Sequence, residues 1–378
     1  MASISKREDG QWRARYRDDA GKEHARHFGR KVDAQRWIDE TTAAVVTGHY
    51  VDPKGAKTTV RDYAEEWQAT LVSREHTLRN IDIAIRVHVL PHIGDRPLGS
   101  VRPRDMQALV KTLSATLAPS SVRVTYKIAA RMFAAAVDDR VIAASPCHRT
   151  KLPHDDRPEV VPPTIEQVTA LAASIQPRYR ALVVLLAGSG LRIGEALGLN
   201  VSDVDFLRRT VKVQRQRFPN GRIGPVKTPK SARTVPLGKV VIDELSAHLA
   251  AFPSDGPLFI LPTGRPLAYR TWRYIWANAA KVEAKARADA AAKTHSDVKT
   301  VPLDMDTHAL RHFYASALIA GGASVKVVQS RLGHASAVVT LNVYGHLWPG
   351  EDDLTRAVMD AAFGPLADSL RTSATAER

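Results

Sequence analysis

One cysteine, Cys147, stands in a chain of 378 residues. That scarcity excludes an intramolecular disulfide and any metal site built from several thiolates. Long apolar runs are also missing. The opening Met1-Ala-Ser-Ile-Ser-Lys-Arg7 holds no apolar core of signal-peptide length, and no stretch reaches the roughly 20 apolar residues that a membrane helix needs. The expectation is a cytoplasmic protein, associated with the nucleoid if its partner is DNA, and with no membrane contact. Acids are scarce beside bases: 39 Asp and Glu against 54 Lys and Arg leave a formal net charge of +15. Such a balance fits an anionic partner, most simply nucleic acid, because cations that neutralise phosphates release condensed counterions. A solvated basic surface would carry the same charge. The length suggests two to three domains.

Residues 1–57 read as a small α+β unit. In Gln11 to Arg17, Trp12, Ala14 and Tyr16 alternate with Arg13, Arg15 and Arg17, a period of two that predicts a strand with an aromatic and a basic face. Asp18 to Gly21 supplies a turn, Lys22 to Phe28 the returning strand, and about Lys31 to Thr47 a helix with Ala34, Trp37, Ile38 and Val45 on one side. A sheet backed by a helix can lie in a DNA groove, which makes Trp12, Arg13, Arg15 and Arg17 candidate DNA contacts. The alternative is a module whose arginines are only solvated. Val51 to Gly55 marks a linker.

Residues 58–147 read as a helical bundle. Val60, Tyr63, Ala64 and Trp67 recur at helical spacing, as do Leu78, Ile81, Ile85, Val89 and Leu90 before Pro91 and Gly94 stop the run. Two more helices are expected over about Arg104 to Thr116 and about Ser120 to Val137. Residues 148–163, with Pro153, Pro158, Pro162 and Pro163, read as an extended tether. A last domain spans 164–366, ahead of a polar tail at 367–378. It opens on the capping box Thr164-x-x-Gln167, and an apolar helix containing Leu182 to Leu186 ends at Gly188-Ser-Gly190. Thr210 to Gln216 alternates as a strand, Pro219-Asn-Gly221 is a turn, and Val226 to Pro236 reads as a tight hairpin carrying Lys227, Lys230 and Arg233. Lys230 and Arg233 are candidate DNA contacts there. Pro266 to about Ala292 is helix-prone, its portion after Lys281 being rich in alanine and lysine, and Leu354 to Phe363 reads as an amphipathic helix.

The chemistry concentrates between His308 and His346. His308, Arg311 and His312 fall on one helical turn, Leu332-Gly333-His334 follows, and Tyr344 lies ten residues beyond His334. A phenol titrates near ~10 and is a poor nucleophile at neutral pH. A site that uses one must therefore supply a base or cationic neighbours, and Arg311, His308 and His334 are candidates. The same groups suit a pentacovalent phosphorus transition state, since guanidinium forks match phosphate oxygens and imidazoles donate single hydrogen bonds. The residues thus point to phosphoryl transfer to a tyrosine. Three alternatives stand beside this. His308 and His312 have the spacing of a zinc pair, although no glutamate lies between them and Arg311 would repel a cation. His312 also fits a core histidine buttressing His308. Tyr314 is a rival phenol, set among apolar neighbours.

His308-x-x-Arg311, Leu332-Gly333-His334 and Tyr344, preceded by Gly190-Leu-Arg192-Ile-Gly194-Glu195, resemble the motifs of the tyrosine recombinases, the phage-integrase family. The resemblance implies an arm-binding α+β domain, an all-α core-binding bundle, and a mainly α catalytic domain with a small β-sheet and hairpin. It makes Tyr344 the nucleophile, Arg192 and Arg311 the phosphate clamps, and His308 and His334 their partners in stabilising the transition state. Lys227 becomes the acid for the leaving 5′ oxygen, with Lys230 its rival, and Glu195 and His312 are supports. No ATP, metal or other cofactor is implied. The implied partners are double-stranded DNA with core- and arm-type sites, three further copies of the chain in a tetramer around a Holliday junction, a recombination directionality factor and a host DNA-bending protein. The C-terminal helix would pass to a neighbouring subunit. The expected function is integration and excision of a phage or mobile element. A chromosome-dimer-resolving recombinase is the runner-up, followed by a type IB topoisomerase and a non-catalytic DNA-binding regulatory or architectural protein.

Overall fold

The computed structural model describes residues 2–17, 21, 23–46, 57–155, 160–226, 231–294, 305–348 and 355–363. The chain divides into two compact units, residues 1–157 and 158–378.

The first unit opens with an antiparallel sheet of β1 (Ser3–Lys6), β2 (Trp12–Arg17) and β3 (Glu23–Phe28), with β2 in the centre. Helix α1 (Lys31–Val46) covers one face, where Ala14, Ala34 and Ile38 form a small core with Ile4, Trp12, Phe28 and Trp37 against it. Strand β1 is not legible from the sequence. Four polar-biased residues carry no period of their own, and they become a strand because Ile4 pairs opposite Ala14. The sequence groups Trp12 with Arg13, Arg15 and Arg17 as candidate DNA contacts, and the structure sets Trp12, partly buried, on the opposite face of the strand from Arg13 and Arg15. Trp12 shares the helix-facing side with Ala14, and Lys31 Nζ lies 5.5 Å from its ring centroid, because alternate side chains leave a strand on opposite faces. Arg13 and Arg15 leave on the other face, each 3.7 Å from Glu23.

The helices of this unit are α2 (Val60–Thr70), α3 (Glu75–Ile83), α4 (Leu90–Ile93), α5 (Pro103–Ser114) and α6 (Pro119–Asp138). Thr59 caps α2 by accepting the Asp62 N–H. Trp67, Ile85, Met106, Met132 and Phe133 belong to one buried core. Pro91 does not stop the run. A π-helical turn, Ala84–Val89, joins α3 to α4, with the Leu90 N–H donating to Ile85 O. An α-turn would press the proline ring on the carbonyl four residues back, and the wider turn relieves that clash.

In the second unit the capping box at Thr164 and Gln167 starts α7 (Ile165–Ser174). Helix α8 (Pro177–Ser189) buries Leu182, Val183, Leu185 and Leu186, packs against neighbouring helices on several sides, and leads through a turn to the short α9 (Ile193–Ala196). Two small sheets follow. One has the order β4 (Val204–Asp205), β5 (Thr210–Val213) and β8 (Arg233–Pro236), and the other pairs β6 (Arg215–Arg217) with β7 (Ile223–Pro225). The chain continues through α10 (Lys239–Ala251), α11 (Tyr269–Thr294), α12 (Ala309–Ala320), α13 (Val325–Leu332) and α14 (Ala337–Tyr344). Residues 355–363 are helical.

Part of the expected hairpin over Val226 to Pro236 lies outside the described residues, and its described strand pairs elsewhere. Strand β8 pairs back to β5, with Val211 opposite Val235, while β7 pairs with β6 across the turn at Gly221. Val211, Val213 and Val235 are all fully buried, and a register that buries all three outweighs a local turn. Lys227 and Lys230 lie outside the described residues. Among the described residues, no helix is long and apolar enough to cross a membrane.

Candidate active site

Helices α8 and α13 both end on a glycine in the left-handed region, Gly190 at φ 63° and Gly333 at φ 65°. Side chains are strained there, and at Gly190 a Cβ would also run into the Tyr314 ring. Such ends turn unpaired carbonyls outward. Arg311, fully buried on α12, takes one carbonyl from each: Nη1 donates to Gly190 O at 2.6 Å and Nη2 to Leu332 O at 2.7 Å. A single guanidinium thus ties together two helix ends, and its remaining N–H donors are available to an anion. Burial and the nearby Arg192 push its pKa down to about 9, which still leaves it charged at neutral pH.

Arg192 precedes α9, and Glu195 on that helix accepts both its backbone N–H and its Nη1–H at 3.0 Å. The side chain of Arg192 is 35% exposed, so the cation stays open to solvent. Glu195 is buried and also receives both outer nitrogens of Arg233, at 3.3 and 3.0 Å. Burial alone would raise its carboxyl pKa, but Arg233 and Arg192 together hold it below the ordinary value.

Arg233 therefore differs from its sequence reading as a surface cation on a DNA-binding hairpin. Its side chain is 6% exposed, and its Nε–H donates to Arg331 O at 2.7 Å. The period of two explains this, because Arg233 shares the inward face of β8 with the fully buried Val235.

The phenol lies among histidines. Tyr344, last residue of α14, is 1% exposed, and its hydroxyl is 2.8 Å from His312 Nδ1. His308 and His312 meet edge to face at 4.9 Å. The His334 ring lies parallel to Tyr344 at 6.5 Å, and its Nδ1 shares a hydrogen bond of 2.9 Å with the hydroxyl of Thr340, a fully buried residue. His308, Arg311, His312, His334 and Tyr344 are thus linked by direct contact or by nearby charge. Tyr314 packs against Gly190 and belongs with Leu332 to the cluster around Ala315 and Ile319. Two features escaped the sequence reading: the His312 to Tyr344 hydrogen bond and the Thr340 brace. The only advance signal was that Thr340 and Tyr344 are one helical turn apart.

Burial, helped by the charge of Arg311, depresses all three histidines: His308 to about 4, His334 to about 3, and His312 downward. Burial likewise pushes Tyr344 up to about 12, against the pull of Arg311 and Arg192. The resting site therefore holds neutral imidazoles and a neutral phenol beside fixed guanidinium charge. A histidine depressed from 6.5 in the folded state contributes stability that is present above that value and is lost as pH falls toward the folded pKa. Urea midpoints of the DNA-free protein should fall between about pH 6.5 and pH 4. His334→Asn should flatten that fall, and an unchanged slope would contradict the depressed His334.

Residues 163–350 match the model of the phage integrase family, and residues 59–114 match that of the phage integrase N-terminal SAM-like domain. The chain is 30% identical over 306 residues to the tyrosine recombinase XerC of Mycobacterium bovis, covering 76% of this chain and 94% of that protein. The chain belongs to the tyrosine recombinase family. A putative prophage phiRv2 integrase of Mycobacterium tuberculosis is 23% identical over 358 residues, or 91% of this chain and 90% of that protein. The matches to the XerD recombinases of Mycobacterium leprae and Corynebacterium glutamicum cover only 59% and 51% of those proteins.

Among solved structures, the transposon Tn1549 integrase in complex with a circular intermediate DNA has a TM-score of 0.67 at 22% identity, covering 80% of this chain and 99% of that one. A lambda integrase tetramer bound to a Holliday junction has a TM-score of 0.53 at 17% identity, covering 88% and 96%. The fold of this chain is the integrase fold, with a three-stranded sheet and helix ahead of a helical SAM-like domain and a mainly helical domain with small sheets.

Proposed function

We propose that this recombinase is the integrase of a phage or related mobile element, cutting and rejoining DNA at attachment sites. The observation that carries the proposal is the buried Tyr344 hydroxyl set among three neutral histidines beside Arg311. In this reading Arg192 and Arg311 clamp the scissile phosphate, and His308 and His334 donate hydrogen bonds to its oxygens. The Tyr344 oxygen attacks phosphorus, the bond to the 5′ oxygen breaks, and Lys227 protonates that oxygen as it leaves. A 3′-phosphotyrosine link retains the energy of the broken bond. The 5′ hydroxyl of a partner strand then reverses the step without ATP.

Exchange of one strand pair at a time leads through a Holliday junction held by four copies of the chain. A directionality factor and a host bending protein complete the proposed assembly. Val358, Met359 and Phe363 on the helix of residues 355–363 are about half exposed, which supports its docking on a neighbouring subunit. Truncation after Gly350 should leave single-site cleavage in place and abolish cooperative synapsis.

The decisive test incubates the protein, without metal or ATP, with nicked duplexes tiled from the DNA flanking its gene. A sequence-dependent, SDS-resistant adduct is expected. Tight binding without an adduct on any flank would move weight to a non-catalytic DNA-binding role.

The sheet-and-helix unit ahead of the bundle favours an integrase over a chromosome-dimer resolvase. The alignment with the prophage integrase spans 91% of this chain, against 76% for XerC. Deletion of residues 1–56 should spare cleavage at the core-type site and remove binding to a second, arm-type site. Footprinting of both sites would detect this, and an unchanged arm-site footprint would count against the unit's role.

A further inference from the structure

We propose that His312 is the general base of the cleavage step, taking the phenolic proton of Tyr344 as its oxygen attacks phosphorus. The inference rests on the reading of Tyr344 as nucleophile and adds where its proton goes. Residue type alone nominates His308 and His334 for this work, and the geometry points elsewhere. His312 Nδ1 is 2.8 Å from the hydroxyl. His334 commits its Nδ1 to Thr340 and lies parallel to the phenol at 6.5 Å, while His308 meets His312 edge to face.

Tyr344 is 1% exposed, so bulk water does not supply the acceptor. Arginines have no acceptor to offer. In the tautomer protonated on Nε2, the His312 Nδ1 lone pair accepts the phenol O–H. The ring is held edge to face by His308 at 4.9 Å and by Tyr344 at 5.6 Å, which aims that lone pair. Burial keeps the imidazole neutral and able to accept a proton at neutral pH.

The step balances. The Tyr344 O–H bond breaks and its proton passes to Nδ1, and the oxygen's electron pair forms the O–P bond. The bond from phosphorus to the 5′ oxygen breaks with its pair on that oxygen, which takes a proton from the acid, Lys227 in the reading above. In rejoining, the 5′ hydroxyl attacks phosphorus and gives its proton to the Lys227 amine, the bond from phosphorus to the Tyr344 oxygen breaks with its pair on that oxygen, and the imidazolium returns its proton there. The positive charge on His312 beside Arg311 appears as the phosphorane becomes dianionic, so the charge is opposed as it forms.

The test compares full-length wild type, His312→Asn, His312→Ala, His308→Ala, Lys227→Ala and Tyr344→Phe on a nicked attachment-site duplex. A matched duplex carries sulfur in place of the bridging 5′ oxygen and so needs no acid for its leaving group. His312→Asn places an amide near the Nδ1 position. It is expected to bind DNA like the wild type and to form adduct about 10²- to 10⁴-fold more slowly, equally on both duplexes. Sulfur should relieve the Lys227→Ala defect alone. Added imidazole should restore adduct formation by His312→Ala and not by His308→Ala.

Adduct formation by His312→Asn near the wild-type rate, faster than wild type, or rescued by sulfur would overturn the assignment. So would rescue of His308→Ala in place of His312→Ala. Should the wild type form no adduct, or Tyr344→Phe form one, the reading of Tyr344 itself fails, and the two failures are separated on the same gel.

Discussion

Tyr344→Phe should bind attachment-site DNA with the affinity of the wild type and form no covalent adduct. The ring remains, so its packing against Ala315, Ile319, Val328 and Leu332 survives. Only the hydroxyl is lost, which leaves His312 Nδ1 without its partner at a cost of about 1 kcal/mol. Stability thus changes little while the nucleophile is removed altogether. Electrophoretic shift, SDS-resistant adduct and melting temperature measured on one preparation separate these effects. An adduct of undiminished yield would take Tyr344 out of the role, and Tyr314 would become the residue to examine. Tyr314→Phe should otherwise cleave normally, because its ring serves as packing against Gly190.

Arg311→Met should lose cleavage and stability together. The guanidinium joins the carbonyls of Gly190 and Leu332, and a thioether of similar length satisfies neither. Each stranded carbonyl costs about 1–3 kcal/mol, which lowers the melting temperature of a unit this size by on the order of 10 °C. Arg311→Lys should fall between the two, since an ammonium cannot reproduce the planar fork that spans two helix ends. Thermal unfolding of the DNA-free proteins is the measurement. A methionine variant melting with the wild type would mean that the helix ends hold themselves and that Arg311 serves the phosphate alone.

The pairing of these two effects reflects how the site is built. The groups proposed to meet phosphate are also the groups that hold the site's walls together. Glu195 joins Arg192 to Arg233, and Arg233 joins β8 to the end of α13. Loss of Arg233 would leave Glu195, a buried carboxylate, with the half-exposed Arg192 as its remaining guanidinium partner. Arg233 and Arg192 share the charge of Glu195, and the Arg192 side chain keeps 35% of its surface open to solvent.

Much of this was legible in the residues, wherever the cause is local. The spacing of His308, Arg311 and His312 puts all three on one helical turn, and the structure has them there. Thr164 and Gln167 form their capping box, and the alternation from Trp12 to Arg17 is a strand with one face on a helix. Caps and periods act within a few residues, so a sequence by itself determines them.

What the tertiary structure decided involves partners far apart in the chain. The sequence offered His308 and His334 for the phenol, with His312 as a support, and only packing placed His312 on the Tyr344 hydroxyl. Arg311 finds Gly190 O across 121 positions of sequence, and Arg233 finds Arg331 O across 98. Strand β8 pairs with β5 because burying Val211, Val213 and Val235 together outweighs a nearby turn. The helix through Pro91 persists because the core around Ile85 and Leu90 holds a π-turn that local propensity alone disfavours. In each case the winning arrangement satisfies a buried carbonyl, a buried carboxylate or an apolar surface, and none of these exists as a constraint until the chain has closed around it.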